Sequence, residues 1–272
     1  MTEQAKPAQQ KQAGTPAIKQ MFEKDNVQQR FKQMLGEKAN SFLVSVLNVV
    51  RSSDQLSQAE PDSVRDAAAI AATLDLPIDP NLGMAYIIPY KDGKTGKTYA
   101  NFQMGYKGFI QLAQRSGQLK TISATPVRDG QIVKNDPLRG YEFDFTQGQD
   151  GKIVGYAAYM ALLNGFEKTL YMSVDEIKKH ASAYSKTYKS QYGQWSQNFD
   201  GMAMKTVLKL LLSKYAPLSV DMQQAVKTDQ AVVNDYEGNQ IEYPDNGQDP
   251  HEEAIENQEN AQELSLNEPE KE

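Results

Sequence analysis

Cysteine is absent from this 272-residue chain. Its absence removes disulfides, thiolate metal sites and cysteine nucleophiles, and it fits a cytosolic protein. Histidine is nearly absent as well. His180 and His251 are the two present, far apart, and His251 lies in a polar stretch. A histidine metal centre or a catalytic triad is therefore not expected. No apolar run approaches the ~20 residues of a membrane span. The N-terminus lacks the apolar segment of a secretory signal. A nucleotide loop is missing too. Gly93-Lys-Thr-Gly-Lys-Thr98 invites that reading, but the glycine needed five positions before Gly-Lys-Thr is replaced by Lys91. The segment also lies between two strand-like runs, where a phosphate loop leads from strand into helix. A hairpin loop or a mobile basic finger fits it better.

Acid is scarce in one part of the chain and concentrated in another. The net charge of −6 hides this. Residues 228–272 hold fourteen Asp and Glu and one Lys, so the preceding 227 residues carry +7. A basic body with an acidic tail suits a polyanionic partner. Between residues 84 and 140 stand Lys91, Lys94, Lys97, Lys107, Arg115, Lys120, Arg128, Lys134 and Arg139, opposed by Asp92, Asp129 and Asp136 alone.

The stretch 82–117 organises the rest. Two apolar runs, 85–89 and 99–104, flank KDGKTGK and predict a hairpin with a long loop. Gly105 then opens a helical pattern that Gly117 closes. Tyr106, Phe109, Ile110 and Ala113 fall on one arc of that helix, and Lys107, Gln111, Gln114 and Arg115 on the other. Lys107 in the first turn opposes the helix dipole unless an anion is bound there. A solvated lysine on an ordinary amphipathic helix is the plain alternative.

In chain order, residues 1–19 have little to bury and read as disordered. Helices are expected over 18–35, broken by Gly36, then over 38–50 and 62–75, with Asp62 or Ser63 as N-cap of the last. Their apolar faces exceed what one sheet obviously covers, which predicts packing on a neighbouring subunit. Alternation then predicts strands at 122–127, 141–145, 152–162 and 166–172, the last two joined through Leu163-Asn164-Gly165. Ser173-Val-Asp-Glu176 is a capping-box pattern. Residues 183–199 interleave Tyr184, Tyr188, Tyr192, Trp195 and Phe199 with Lys186 and Lys189. That is how single strands are held, by ring stacking and phosphate tracking, although each ring alone also fits a core. A helix over 199–215 is apolar around most of its circumference. Its polar stripe is Lys205, Thr206, Lys209 and Ser213. These lysines fit phosphate contacts, or stems that snorkel at a buried rim. From 228 the chain reads as a disordered tail that could compete with a polyanion for the basic body, dock a partner, or merely solubilise.

For nuclease chemistry, Glu142 and Asp144 share a strand face, with Asp150 and Lys152 following. Metal-assisted hydrolysis needs carboxylates converging from several elements, so this pair fits a solvated edge better.

Several segments together resemble the RecT family of phage single-strand annealing proteins. They are LDLPIDP (74–80), AYIIPYKDG (85–93), FQMGYKGFIQLAQRSG (102–117), Val127–Asp129, and Trp195 with FDGMAMKTVLKLLLSKYAPLS (199–219). The resemblance covers about residues 38–220. It implies an α+β fold in which an antiparallel β-sheet and hairpin are crossed by a long helix, with the N-terminal helices used in oligomer packing. It implies ATP-independent annealing of single-stranded DNA, without cofactor, metal or catalytic residues. It further implies binding of the annealed duplex in a basic groove, and rings or helical filaments of the chain itself. A phage exonuclease is an implied partner, a host single-strand-binding protein another, and the implied setting is the bacterial cytoplasm. The expected DNA-binding residues are Lys91, Lys97, Tyr106, Lys107, Gln111, Arg115, Arg128, Lys186, Lys189, Trp195, Lys205 and Lys209. Relatives often carry a second basic residue in MAMKT, where this chain has Met204. The expected division is a disordered 1–19, an annealing domain over 20–227, and the tail. The rival classes are a passive single-strand-binding protein and a metal-dependent nuclease.

Overall fold

A computed structural model describes residues 14–93, 95–185, 188, 193–217 and 219–229, with the backbone of 232–233 and 241–242. Four helices come first: α1 (Gly14–Phe22), α2 (Asp25–Leu35), α3 (Ala39–Ser52) and α4 (Pro61–Thr73). The single helix expected over 18–35 is two. Phe22 and Phe31 would stand about 13 Å apart along one straight axis. The break between α1 and α2 lets their rings meet edge-on, with centroids 5.9 Å apart. Helix already begins at Gly14 and Ile18 is fully buried, so the disorder expected through residue 19 does not extend over 14–19. Residues 1–13 lie outside the described chain.

The four helices close on one another. Val27, Phe31, Leu43, Val46, Val50 and Val64 are buried in one shared core. The surplus apolar surface expected of this region is therefore small, Val44 being its exposed large side chain. Neither Asp62 nor Ser63 caps α4. Pro61 sits at the start, where its missing N–H costs nothing. The Ser63 hydroxyl instead donates to the Glu60 carbonyl (2.7 Å) and accepts from the Ala100 N–H (2.8 Å). Ala67, Ala68, Ala71 and Ala72 bury the small-residue face of α4, which packs on the hairpin that follows.

That hairpin is β1 (Ala85–Lys91) with β2 (Thr98–Met104), antiparallel in unbroken register from Ala85↔Met104 to Lys91↔Thr98. Gly96, at φ 71°, turns its loop, and the Asp92 carboxylate accepts from the Thr95 hydroxyl at 2.7 Å. GKTGKT is thus a hairpin loop. Helix α5 (Tyr106–Arg115) starts one residue after β2. Two glycines permit this abrupt start. A Cβ at Gly105 would stand 2.1 Å from the Gly83 carbonyl oxygen, and one at Gly108 2.2 Å from that of Met84.

The main sheet is antiparallel, in the order β3 (Leu119–Arg128), β6 (Ile153–Leu162), β7 (Glu167–Ser173). Between β3 and β6 the chain makes a second hairpin, β4 (Ile132–Asp136) with β5 (Gly140–Phe143), whose first strand the alternation does not predict. Tyr141 and Phe143 stack on each other and lean on Tyr171 of β7. Gly165, at φ 89°, makes the expected turn into β7. Helix α6 (Val174–Tyr184) opens with the complete capping box of Ser173 and Glu176. A short α7 (Gln194–Gln197) leads into α8 (Phe199–Tyr215).

Helix α8 crosses all three strands of the main sheet and also packs on α5. This explains its nearly continuous apolar circumference, with Met202, Ala203, Val207, Leu208, Leu211 and Leu212 all buried. One further helix, α9 (Val220–Thr228), is an addition to the elements expected from sequence. It is capped by Ser219, whose hydroxyl accepts from the Met222 N–H at 3.2 Å, and packs against α5, α8 and β2. Asp229 after it is buried, so the chain does not leave the body at 228. Two-residue strands at Val232–Val233 and Ile241–Glu242 pair beyond it.

The close approach at α5 gives a test. Gly105→Ala is expected to destabilise the chain by about 2 kcal/mol or more, because backbone rather than a flexible side chain must yield. The urea midpoint should fall accordingly.

Candidate nucleic-acid interface

The candidate cations fall in two places, the first turn of α5 and the loop end of the β1–β2 hairpin six strand residues away. Lys107 is exposed, and Tyr106 and Gln111 beside it are half-buried. Gly83, at φ 69°, lies beside both Tyr86 and Lys107: a Cβ there would press on the Tyr86 hydroxyl at 3.3 Å and merely touch the lysine Cδ at 3.5 Å. No acidic side chain occupies the first turn of α5. An exposed cation thus stands at a helix start that no acidic side chain of the helix occupies, an arrangement suited to an anionic ligand. Lys91 is exposed at the end of β1. Lys97 is exposed on the same loop but pairs with Glu60 at 2.9 Å, and that carboxylate holds the lysine pKa above its ordinary value.

Arg115, exposed at the end of α5, also has a structural task. Its guanidinium donates to the carbonyls of Leu74 (2.8 Å) and Asp75 (2.7 Å). Asp75 is a non-glycine residue at positive φ, 46°. Arg115 thus ties the end of α5 to the bend at 74–75. Arg128, half-buried, likewise donates to the Gly151 carbonyl at 2.8 Å and ties β3 to the loop before β6. Trp195 is 6% exposed and packs edge-on against Tyr188 and obliquely against Phe199, with centroids 5.7 Å away in each case. It is a core ring, not a stacking platform. Phe199 in turn meets Tyr156, whose hydroxyl donates to Asp200. Lys186 and Lys189 lie outside the described residues.

The lysine stripe of α8 departs most from expectation. Lys205 is 3% and Lys209 8% exposed. Both meet the Asp229 carboxylate, at 2.8 Å and 3.3 Å. The same carboxylate accepts the Met104 backbone N–H at 3.0 Å. The lysines neither snorkel nor reach solvent, because a carboxylate from beyond the end of α8 closes over them. Burial pushes the Asp229 carboxyl up, but Lys205, Lys209 and the Met104 amide together hold it below the ordinary value of 3.8. Burial and the neighbouring Lys209 push His180 of α6 below its ordinary 6.5. Asp229 is the residue that sequence reasoning missed. Its signal is a Ser219 cap with Met222 and Ala225 three apart, which the acidic count from 228 onward obscures.

Glu142 and Asp144 do not converge on a shared ligand. Glu142 pairs with Lys134 at 3.4 Å, and Asp144 accepts from Thr146 and Gln147 within its own turn. Among the described residues, no group of three His, Asp or Glu side chains could hold a metal ion. No described helix is long and apolar enough to cross a membrane.

An antiparallel sheet crossed by a helix, beside a separate two-stranded hairpin, defines an α+β protein. The sequence model of the RecT family matches residues 40–244, and the chain belongs to that family. That family is one of single-strand annealing and recombination. The chain is 44% identical over 225 residues to the "Uncharacterized protein YqaK" of Bacillus subtilis (strain 168), covering 80% of this chain and 76% of that one. It is 30% identical over 188 residues to "Protein RecT" of Escherichia coli (strain K12), covering 62% of this chain and 64% of that one.

Two outcomes check these assignments. Arg115→Ala should cost roughly 1–2 kcal/mol of stability through its lost bonds to the 74–75 bend. It should leave the affinity of the folded fraction for DNA nearly unchanged. His180 has a depressed folded pKa, so its contribution is complete above about 6.5 and is lost as pH falls through that value, where the unfolded chain takes up the proton. Urea midpoints measured at about pH 7.5 and about pH 5 should therefore differ more for the native chain than for His180→Phe.

Proposed function

We propose that this protein anneals complementary single strands of DNA without ATP, holding the single strand and the annealed duplex on a homo-oligomer. The match to the RecT family over 40–244 carries this reading, and the exposed Lys107 in the first turn of α5 supports that turn as a contact. Tyr106, Lys107 and Gln111 are the proposed contacts at α5, and Lys91 and Lys97 are proposed as further contacts along the path of the bound strand, at the loop end of the hairpin. Contacts go to phosphates and ring faces, because annealing arbitrary sequences requires the pairing edges to stay free. Arg115 and Arg128 hold the 74–75 bend and the loop before β6. Trp195 supports the α8 core. Lys186 and Lys189 are proposed as additional cationic contacts.

The DNA-binding, oligomerising unit comprises the helices from α1 onward through α9 and Asp229, with the acidic segment after it. A repeated head-to-tail contact gives a ring if its rotation closes and a helical filament if it does not. The N-terminal helices bury most of their own apolar surface, so the contact between subunits is expected to be largely polar, with Val44 among its few apolar members. A phage exonuclease that exposes single strands, and a host single-strand-binding protein, are the proposed partners in a bacterial cytoplasm.

Mixing complementary strands with the protein, without ATP or Mg²⁺, tests the central claim. Accelerated duplex formation supports it. Protection of single strands without pairing indicates passive binding, and metal-dependent strand loss indicates a nuclease. Lys107→Ala should weaken binding of unrelated sequences equally and lower the salt slope of log affinity by about one unit. An unchanged slope removes Lys107 from the interface.

A further inference from the structure

Lys205 and Lys209 are one helical turn apart on α8 and project to one side. Their ammonium groups and the Met104 N–H converge from two separate elements on one carboxylate, that of Asp229. Met104 ends β2, and Lys107 follows it closely at the exposed start of α5. The cluster therefore adjoins the surface proposed for DNA. Two ammonium groups and a backbone amide are also the donor set that holds a phosphodiester. An internal carboxylate and a DNA phosphate carry the same single negative charge and offer acceptor oxygens to the same donors.

The element that delivers Asp229 is lightly held. Helix α9 has nine residues and buries two side chains, Met222 and Ala225. Its first residue, Val220, is 78% exposed. It packs on α5, α8 and β2, the three elements that supply Lys107, the two lysines and the amide. A helix with so small an apolar footing depends on its terminal carboxylate for attachment. Buried ion pairs are poor contributors to net stability but are costly to leave half-broken. An exchange of one anion for another avoids that cost, whereas simple departure of α9 does not.

We propose that Lys205, Lys209 and the Met104 amide form a phosphodiester subsite that Asp229 occupies in the free protein, and that α9 is a strap which lifts when a DNA backbone displaces the carboxylate. This rests on the annealing reading above. It makes α9 a brake on unspecific loading, since a ligand must present a phosphate at the correct place to take over the lysines.

The test uses the full chain. Asp229→Asn keeps the size and an acceptor for Met104 but removes the charge that holds the strap. It should bind single-stranded DNA about tenfold more tightly than the native chain at low salt, with the difference shrinking as salt rises. Adding Lys205→Gln or Lys209→Gln to that variant should cancel the gain. The native chain has no cysteine, so Ala225→Cys, at a buried position of α9, gives a single reporter thiol. Saturating oligonucleotide should raise the rate at which that thiol reacts with a thiol reagent at least about tenfold. A folded Asp229→Asn chain of native or lower affinity overturns the strap. So does a reporter thiol that stays protected on DNA, and this second measurement decides alone if Asp229→Asn fails to fold. A native chain that binds no single strand overturns the annealing reading and the strap together. A native chain that binds, with the reporter thiol of Ala225→Cys still protected, overturns the strap alone.

Discussion

Two ammonium groups inside an otherwise apolar helix are the constraint around which this fold closes. Helix α8 must bury most of its circumference, because it spans the strands of the main sheet and supports α5. Lys205 and Lys209 sit on the side that α9 covers. An ammonium moved out of water is costly unless a counter-charge and hydrogen bonds accompany it. Asp229 supplies the counter-charge to both lysines and a hydrogen-bond acceptor to Lys205, and reaching it requires α9 to fold back over α5, α8 and the end of β2. The C-terminal path of the domain is thus dictated by charge as much as by apolar contact.

A second constraint acts through backbone proximity. Gly105 and Gly108 let the start of α5 lie directly on the carbonyls of residues 83 and 84. Arg115, at the far end of the same helix, grips the bend at residues 74–75. One helix is therefore anchored to the preceding link at both ends. What is left over on α5 is a short exposed arc headed by Lys107. The backbone of the cationic surface is fixed while its lysine stays in solvent, the usual division between a positioned scaffold and a solvated contact group.

Charge alone did not separate binding residues from supporting ones. Lys107 and Arg115 stand on the same helical arc and both reach solvent, yet Arg115 also serves backbone carbonyls. Trp195 and the lysines of α8 matched a strand-binding pattern by composition, and the structure buries all three. A guanidinium with a planar fork can satisfy two carbonyls at once, so an arginine in a basic stretch is as apt to be structural as ligand-facing.

Much of this architecture was determined by local sequence. The β1–β2 hairpin, the glycine-bounded α5, the Asn-Gly turn, the Ser173 capping box and the limits of α8 each depend on neighbours within a few residues, and each was legible. The charge asymmetry and the missing nucleotide loop were legible for the same reason. Only tertiary structure decided what the side chains of those elements face. The split of α1 from α2 follows from Phe22 meeting Phe31 across a turn, and the burial of Lys205 and Lys209 follows from a carboxylate on a later element. Periodicity reports which face of a helix is apolar, but not which distant segment returns to cover its polar face. Asp229, read from sequence as the first acid of a solvated tail, is for that physical reason the residue whose place could be learned only from the fold.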